Sequence, residues 1–361
     1  MWRNRRVIEL FGIEHPILLA PMAGAIDVDI AVEVAEAGGL GSIPCAMLTP
    51  EKLREQFEKF KARTRQPLNV NFFCHVAPTP SNAREHAWRE RLQPYYQELG
   101  IDPAAPIPSS NRAPFDPAFC EVIEDLKPEV VSFHFGLPEA ALLRRVQAIG
   151  CRILSSATSV KEARWLEDKG VDAVIAQGFE AGGHRGHFLG ADLLGADLFN
   201  QAGTFALVPQ IADAVKVPVI AAGAISDARG IAAALMLGAS GVQIGTSYLH
   251  CPESKVSPPH RAALKSAADD ATTVTNLMTG RPARGIVNRV MREIGAINPI
   301  APEFPLAAGA LAPLRAKAEA SGSGDFSPLW SGQAAALGRA VPARELTRAL
   351  AARAQELLHG A

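Results

Sequence analysis

Short apolar runs alternate with amphipathic stretches along most of this chain. Residues 16–22 read as a strand and 29–37 as a helix stopped by Gly38 and Gly39. Residues 40–43 read as a second strand. From Thr49 to about Arg65 the pattern is helical, opened by an N-cap threonine with proline next to it. Further strands fall at 68–73, 130–135, 151–156, 171–175, 217–222 and 241–245, with helices at 138–149 and 159–169. A strand buried on both faces reads as a near-continuous apolar run, as Val171-Asp-Ala-Val-Ile175 does. Eight strands alternating with helices predict an α/β protein, a (β/α)8 TIM barrel. An open doubly wound sheet is the rival. No G-x-G-x-x-G follows the first strand, which counts against it.

Two regions break the rhythm. Residues 76–128 are too long for a simple crossover and are rich in proline; they read as an insertion over the barrel mouth or as a surface excursion. After the eighth strand, 251–325 reads as a helical lid, with helix patterns at 259–268 and 284–294 and loop-like pieces at 299–305 and 321–324. The expected organisation is a barrel over 1–250 carrying the 76–128 insertion, the lid over 251–325, and a segment over 326–361 that returns to the barrel. Residues 342–358 would be its closing helix.

Composition narrows the class. The chain has 361 residues, long enough for a barrel of about 250 residues with an addition. A hydrophobic fraction of 48% fills a sizeable core, and a net charge of −1 gives no reason to expect a nucleic-acid or membrane partner. The five cysteines, Cys45, Cys74, Cys120, Cys151 and Cys251, form no C-x-x-C pair, which fits a reducing compartment. Arg3, Arg5 and Arg6 are followed by Glu9 and Glu14, unlike a targeting peptide, and no apolar run is long enough to span a bilayer. The expectation is a soluble cytoplasmic protein.

The chemistry concentrates at predicted strand ends. After the sixth strand the chain turns polar and glycine-rich: Ala176-Gln-Gly-Phe-Glu-Ala-Gly-Gly-His-Arg-Gly-His-Phe188. Gly182 and Gly183 allow backbone to approach a flat ligand, and His184 can exchange a proton near neutral pH. A mobile glycine loop with an exposed histidine is the plainer alternative. The loops after the seventh and eighth strands, Gly223 to Gly230 and Gly245-Thr-Ser247, suit a phosphate, with Ser226 as the expected cap of the following helix. Tight helix-on-strand packing explains the same glycines. Other strand ends carry Met22, Asn71, His134 and Gln177, and an amide both donates and accepts, as the edge of a flavin requires. His184 and His187 are three apart with no carboxylate or cysteine to complete a metal set, so no metal is expected.

Several of these segments resemble one family. Residues 176–186, Ala20-Pro-Met-Ala-Gly24, Asn69-Val-Asn-Phe-Phe73, Val131 to Gly136, Ile220 to Ile225, Gln243 to Thr246, Thr279-Gly-Arg-Pro-Ala-Arg-Gly285 and Trp330-Ser-Gly-Gln333 resemble the nitronate monooxygenases, formerly 2-nitropropane dioxygenases. The resemblance implies FMN in a lidded barrel and oxidation of alkyl nitronates, with nitroalkanes as further candidates, by dioxygen to a carbonyl compound and nitrite. It implies His184 as the catalytic residue. Met22, Ala23, Gly24, Asn71, Gln177, Gly182 and Gly183 would line the isoalloxazine side. Ala222, Gly223 and the turn Gln243, Ile244, Gly245 and Thr246 would hold the ribityl phosphate. His134 and His187 are the remaining candidates near the substrate. The partners implied are small molecules, with a homodimer left open. Family members suited to nitronates carry lid tyrosines, and this chain has none between Cys251 and Trp330. Flavin enoyl-acyl-carrier-protein reductases share the Gly-Gly-His after the sixth strand and are the alternative; a non-catalytic flavin-binding barrel is the third reading.

Overall fold

The computed structural model describes every residue except 1, 105, 109–111, 191 and 361. Part of the predicted 76–128 insertion therefore lies outside the described residues. Six strands, β1 (Ile17–Leu19), β2 (Gly41–Pro44), β3 (Leu68–Phe73), β4 (Val130–His134), β5 (Arg152–Ala157) and β6 (Ala173–Gln177), come first. Then follow β7 (Gly183–His184), β8 (Val219–Ala222), β9 (Gly241–Ile244), β10 (Thr272–Thr275) and β11 (Ala283–Ile286). One parallel sheet runs β1-β9-β8-β6-β5-β4-β3-β2. Its ends meet at a parallel bridge between Leu18 and Leu40, with hydrogen bonds Leu40 N to Ile17 O (2.9 Å) and Leu19 N to Leu40 O (3.0 Å). The eight strands thus form a nearly closed barrel with helices around it, an α/β TIM-barrel-like fold.

Alternation along each strand sorts the side chains. Val131, Ile153, Val174, Ala221 and Val242 belong to the large apolar layer between barrel and helices. The intervening positions form a second, inner set. At the amino ends this set is apolar, with Leu18, Leu40, Val130, Leu154 and Ile220 clustering with Val7 and Phe11 of an amino-terminal helix, Arg6–Phe11. At the carboxyl ends it is polar: Asn71, His134, Ser156, Gln177 and Gln243. The barrel is closed by packing below and opens onto chemistry above, as such barrels do.

The regions outside the barrel differ from expectation. The proline-rich excursion contains a helix, Asn82–Glu98, and the lid contains another, Ala307–Ala320. They pack on each other: Trp88 Nε1 donates to Ala307 O at 3.1 Å and Tyr96 OH to Ala310 O at 2.5 Å. With Leu277, Met291, Leu311, Leu314 and Phe326 they share a second apolar core. Burying each large apolar side chain contributes about 1.5–3 kcal/mol, so insertion and lid hold one another in place. The lid is not wholly helical. Helices occupy Pro258–Ser266 and Arg289–Ile294, but Ala283–Ile286, expected to begin the second, is strand β11, paired antiparallel with both β10 and β7. The closing helix is Ala343–His359. Among the described residues no helix is long and apolar enough to cross a membrane.

Candidate active site

The carboxyl ends of the strands and the lid enclose a cavity of 480 Å³. Of the residues expected there, Met22, Ala23, Gly24, Asn71, Gln177, Gly182, Gly183, His184, Ala222, Gly223, Gln243, Gly245, Thr246 and His134 all line it. Ile244 does not: it points into the packed layer behind β9 and is 1% exposed. His187 does not either, because its ring turns away and Nε2 donates to Leu193 O at 3.3 Å.

The Gly-Gly-His stretch is not a free loop. Gly183 and His184 form β7, in register with Arg284 and Ala283 of β11. The two glycines are needed for different reasons. At Gly182 a Cβ would lie 2.5 Å from the nitrogen of Gly332, so the crossing of Ser331-Gly332 demands glycine there. Gly183 has φ +73 and open space where a side chain would project; its requirement is conformational. The returning segment is tied down in the same place: Gly332 N donates to Thr246 Oγ1 at 2.9 Å, and Trp330 bridges to Gly285.

His184 is fixed from both sides. Its carbonyl accepts from Gln177 Nε2 (2.9 Å) and His134 Nε2 (3.2 Å), while Gln177 Oε1 accepts from Gly186 N (2.8 Å). The amide of Gln177 is thus spent on the histidine segment. Asn71 likewise donates to Ser132 Oγ at 2.9 Å. The His184 ring is caged by Phe304, Trp330, Phe135 and Phe73, with centroids 5.2, 5.5, 5.9 and 6.0 Å away. Its Nε2 lies 2.9 Å from Thr279 Oγ1. Burial holds its pKa well below the usual histidine value, and the Arg112 guanidinium, His134, Arg281 and His75 around it act in the same direction by disfavouring a second positive charge.

The competing histidines are otherwise engaged. A carbonyl only accepts, so His134 Nε2 carries the proton it gives to His184 O, and Nδ1 must accept from Ser156 Oγ, 2.5 Å away. Both nitrogens are committed, and burial pushes its pKa down to about 3. His187 is pushed to about 4 by burial and by Arg281.

The opposite end of the cavity is backbone. Gly223 and Ala224 both take positive φ, +124 and +52, and their turn lines the wall. Gly245 caps the short helix Thr246–Leu249 with no side-chain cap bond of its own. Ser247 Oγ donates to Ser226 O at 3.1 Å and joins the two loops. Ser226 is not the cap of the helix Ala228–Met236. Asp227 is: its carboxylate accepts from the amides of Arg229 and Gly230, and a short carboxylate reaching two amides outcompetes a hydroxyl. That helix end is therefore closed to a ligand anion, and the Gly223 and Gly245 turns face the cavity instead.

Several residues in the wall or just behind it carry no sequence signal of their own. Arg112 enters from the excursion, and Arg315 from the helix Ala307–Ala320 lies near enough for their charges to interact. Arg315 is paired with Glu319 at 3.0 Å. Thr279 and Arg281 lie in a segment whose resemblance was legible but whose roles were not. Arg281 stacks over Phe135 at 4.0 Å. Among the described residues no group of three or more His, Cys, Asp or Glu is arranged to hold a metal.

A family model described as nitronate monooxygenase matches residues 4–353. A nitronate monooxygenase of Pseudomonas aeruginosa is 42% identical over 347 residues, 96% of this chain and 97% of that one. A solved nitroalkane oxidase from Streptomyces ansochromogenes superposes with TM-score 0.88 at 34% identity, covering 99% of this chain and 100% of that one. A solved FabK from Thermotoga maritima is more distant, with TM-score 0.75 at 29% identity over 99% and 98% of the two chains. By the family-model match over nearly its whole length, the chain belongs to the nitronate monooxygenase family of flavin-dependent oxidoreductases.

Proposed function

We propose that this protein holds FMN in the 480 Å³ cavity and oxidises alkyl nitronates with dioxygen to a carbonyl compound and nitrite. The observation that carries the reading is the placement of His184 by β7. His184 stands in the wall of a cavity whose far end is glycine backbone; the other lining histidines, His134 and His260, are tied to Ser156 and the His184 carbonyl and to the Trp330 carbonyl, and the lining carboxylate Glu319 is paired with Arg315. The cradle suits FMN. Gly223, Ala224, Gly245 and Thr246 would take the phosphate, and Met22, Asn71, Gln177 and Gly183 would face the ring system. FMN, when bound, supplies electron acceptance and dioxygen chemistry.

The chain's own residues do the rest. Desolvation keeps His184 neutral at neutral pH, so it serves as a base for the α-proton of a nitroalkane. It is not the cation that holds a preformed nitronate. Arg112, which lines the same wall and carries a permanent charge, takes that role in this reading. The phenylalanines and Trp330 around His184 exclude water from the reacting carbon.

The test is direct. Purified protein is expected to show a flavin spectrum and to release nitrite from an alkyl nitronate in air-saturated buffer without NADH. NADH-dependent reduction of an enoyl thioester, with nitronates ignored, would move the protein to the reductase reading that the FabK likeness represents. A flavin-loaded protein inert to both would be a binding barrel.

A further inference from the structure

The His184 ring has two nitrogens, and which one carries the proton decides which one can accept one. Its Nε2 lies 2.9 Å from Thr279 Oγ1. A hydroxyl can donate or accept, so that contact alone leaves the choice open. Thr279 makes a second, longer contact of 3.5 Å, donating toward the carbonyl oxygen of Arg281. A carbonyl only accepts, and the hydroxyl has one proton. Directed there, it leaves Oγ1 facing His184 as an acceptor, and Nε2 must supply the hydrogen.

The threonine is well held. It is 1% exposed, so bulk water does not compete. Its turn is closed by Gly280 N donating to Asn276 O at 2.7 Å. Asn276 is in turn bonded to Asn298 through Nδ2 (2.8 Å) and Oδ1 (2.9 Å). Gly280, at φ +95, has the Pro302 carbonyl where a Cβ would sit, which pins the turn against the lid.

We propose that Thr279 is a positioning residue that locks His184 in the tautomer protonated on Nε2 and presents Nδ1 to the cavity as the proton-accepting atom. The charged and titratable groups facing this ring are Arg112 from the excursion, His75 beyond β3, His134 of β4 and Arg281 beside Thr279. None of them is an anion that would favour the imidazolium. In the proton-transfer step the substrate C–H bond breaks and a new N–H bond forms at Nδ1. The C–H electron pair moves onto the nitro group, leaving nitronate and an imidazolium that still donates through Nε2. The catalytic consequence rests on the proposed function; the tautomer does not.

The experiment is nitrogen NMR on FMN-loaded protein labelled with ¹⁵N-histidine, with His184 assigned by the signals lost in His184→Asn. Near pH 7.5 we expect a protonated Nε2 and a bare Nδ1. In Thr279→Val this preference should disappear. Turnover of a neutral nitroalkane should fall in kcat by about 10- to 100-fold, by analogy with the loss of the hydrogen-bond partner that orients a metal-bound histidine, with KM little changed. Its acid pH limb should shift. Thr279→Ser should restore spectrum, rate and limb together. A wild-type ring protonated on Nδ1 overturns the proposal, even if no variant folds. So does a Thr279→Val protein with unchanged spectrum and rate. Protein inert to nitro compounds but protonated on Nε2 would leave the tautomer standing and remove only the proposed function.

Discussion

The two ends of the cavity are made from different materials. At the β8–β9 end the wall is main chain, with Gly223, Ala224 and Gly245 presenting turns rather than side chains. At the β6 end it is a crowd of side chains brought from remote segments: His184, Phe73, Trp330 and Arg112 line it, and Phe304 and Thr279 pack against the His184 ring behind them. Backbone recognition depends on the absence of atoms, so one added side chain ruins it. Side-chain recognition is distributed, so a single change trims it. Substitutions at the two ends should therefore differ in kind as well as in size.

The largest effect is expected at the backbone end. Gly245→Asp places a carboxylate beside Met22 Sδ and Ala20 Cβ, which lie 3.3 and 3.4 Å from where its Cβ would be. Charge repulsion against a phosphate in so tight a turn should give folded but colourless protein. Full flavin content by absorbance would show that the phosphate binds elsewhere. Next comes His184→Asn. It should keep the flavin and lower turnover of a neutral nitroalkane by at least about 10²-fold, the lower bound for losing general base assistance. A preformed nitronate needs no base and should suffer much less. Equal losses on both substrates would mean that the histidine binds the anion.

A smaller effect is expected at Arg112→Gln. Loss of one charged contact should raise KM for the nitronate by roughly 10-fold, as for a hydrogen bond to a charged group. The variant also sharpens the comparison through pH. Arg112 helps to hold the His184 pKa down, so its removal lets that pKa rise. A base must be unprotonated, so the acid limb for a neutral nitroalkane should move to higher pH, and activity should fail earlier on acidification. An unmoved limb would place Arg112 too far from the ring to matter.

The smallest effect is expected at the cysteines. Cys45, Cys120, Cys151 and Cys251 are buried, and Cys74 is half-buried. Burial raises every one of their pKa values, with Cys151 pushed up to about 11 and Cys251 to about 12. No thiolate is available at neutral pH. Single alanine substitutions should leave nitronate turnover within about 2-fold wherever the protein folds; a cysteine whose loss abolishes turnover with flavin retained would introduce a thiol into the chemistry.

The contrast between the two ends also explains what could be read from the sequence. The barrel was legible because each strand is a short apolar run, and the glycine turns announced themselves at the strand ends. The helices Asn82–Glu98 and Ala307–Ala320 were not, because Pro94 and Pro313 sit inside them. Proline normally argues against a helix interior; here mutual burial of Trp88, Tyr96, Leu311 and Leu314 outweighs that cost. β11 was hidden because Ala-Arg-Gly-Ile has no strong period, and its pairing with β10 and β7 is a long-range fact. Arg112 comes from the irregular excursion and Thr279 from the turn between β10 and β11, so neither carried a local signal of its place near His184. Sequence pointed to His184, which lines the cavity, but not to Arg112 and Thr279 near its ring.

The pairing of β7 with β11 bears on how molecules come and go. A door hinged to lift β11 off the barrel would carry Ala283 and Arg284 away from His184 and Gly183, taking the tool off the bench each time it opened. Under the proposed function, traffic that leaves the bench undisturbed would pass along a part of the wall not paired with β7, such as the flank lined by Arg112 and Arg315. Entry and alignment are then separate tasks assigned to separate parts of the cover. In the proposed reaction, product would leave and the next molecule arrive while the imidazole kept its place, so that each turnover would start from an assembled centre.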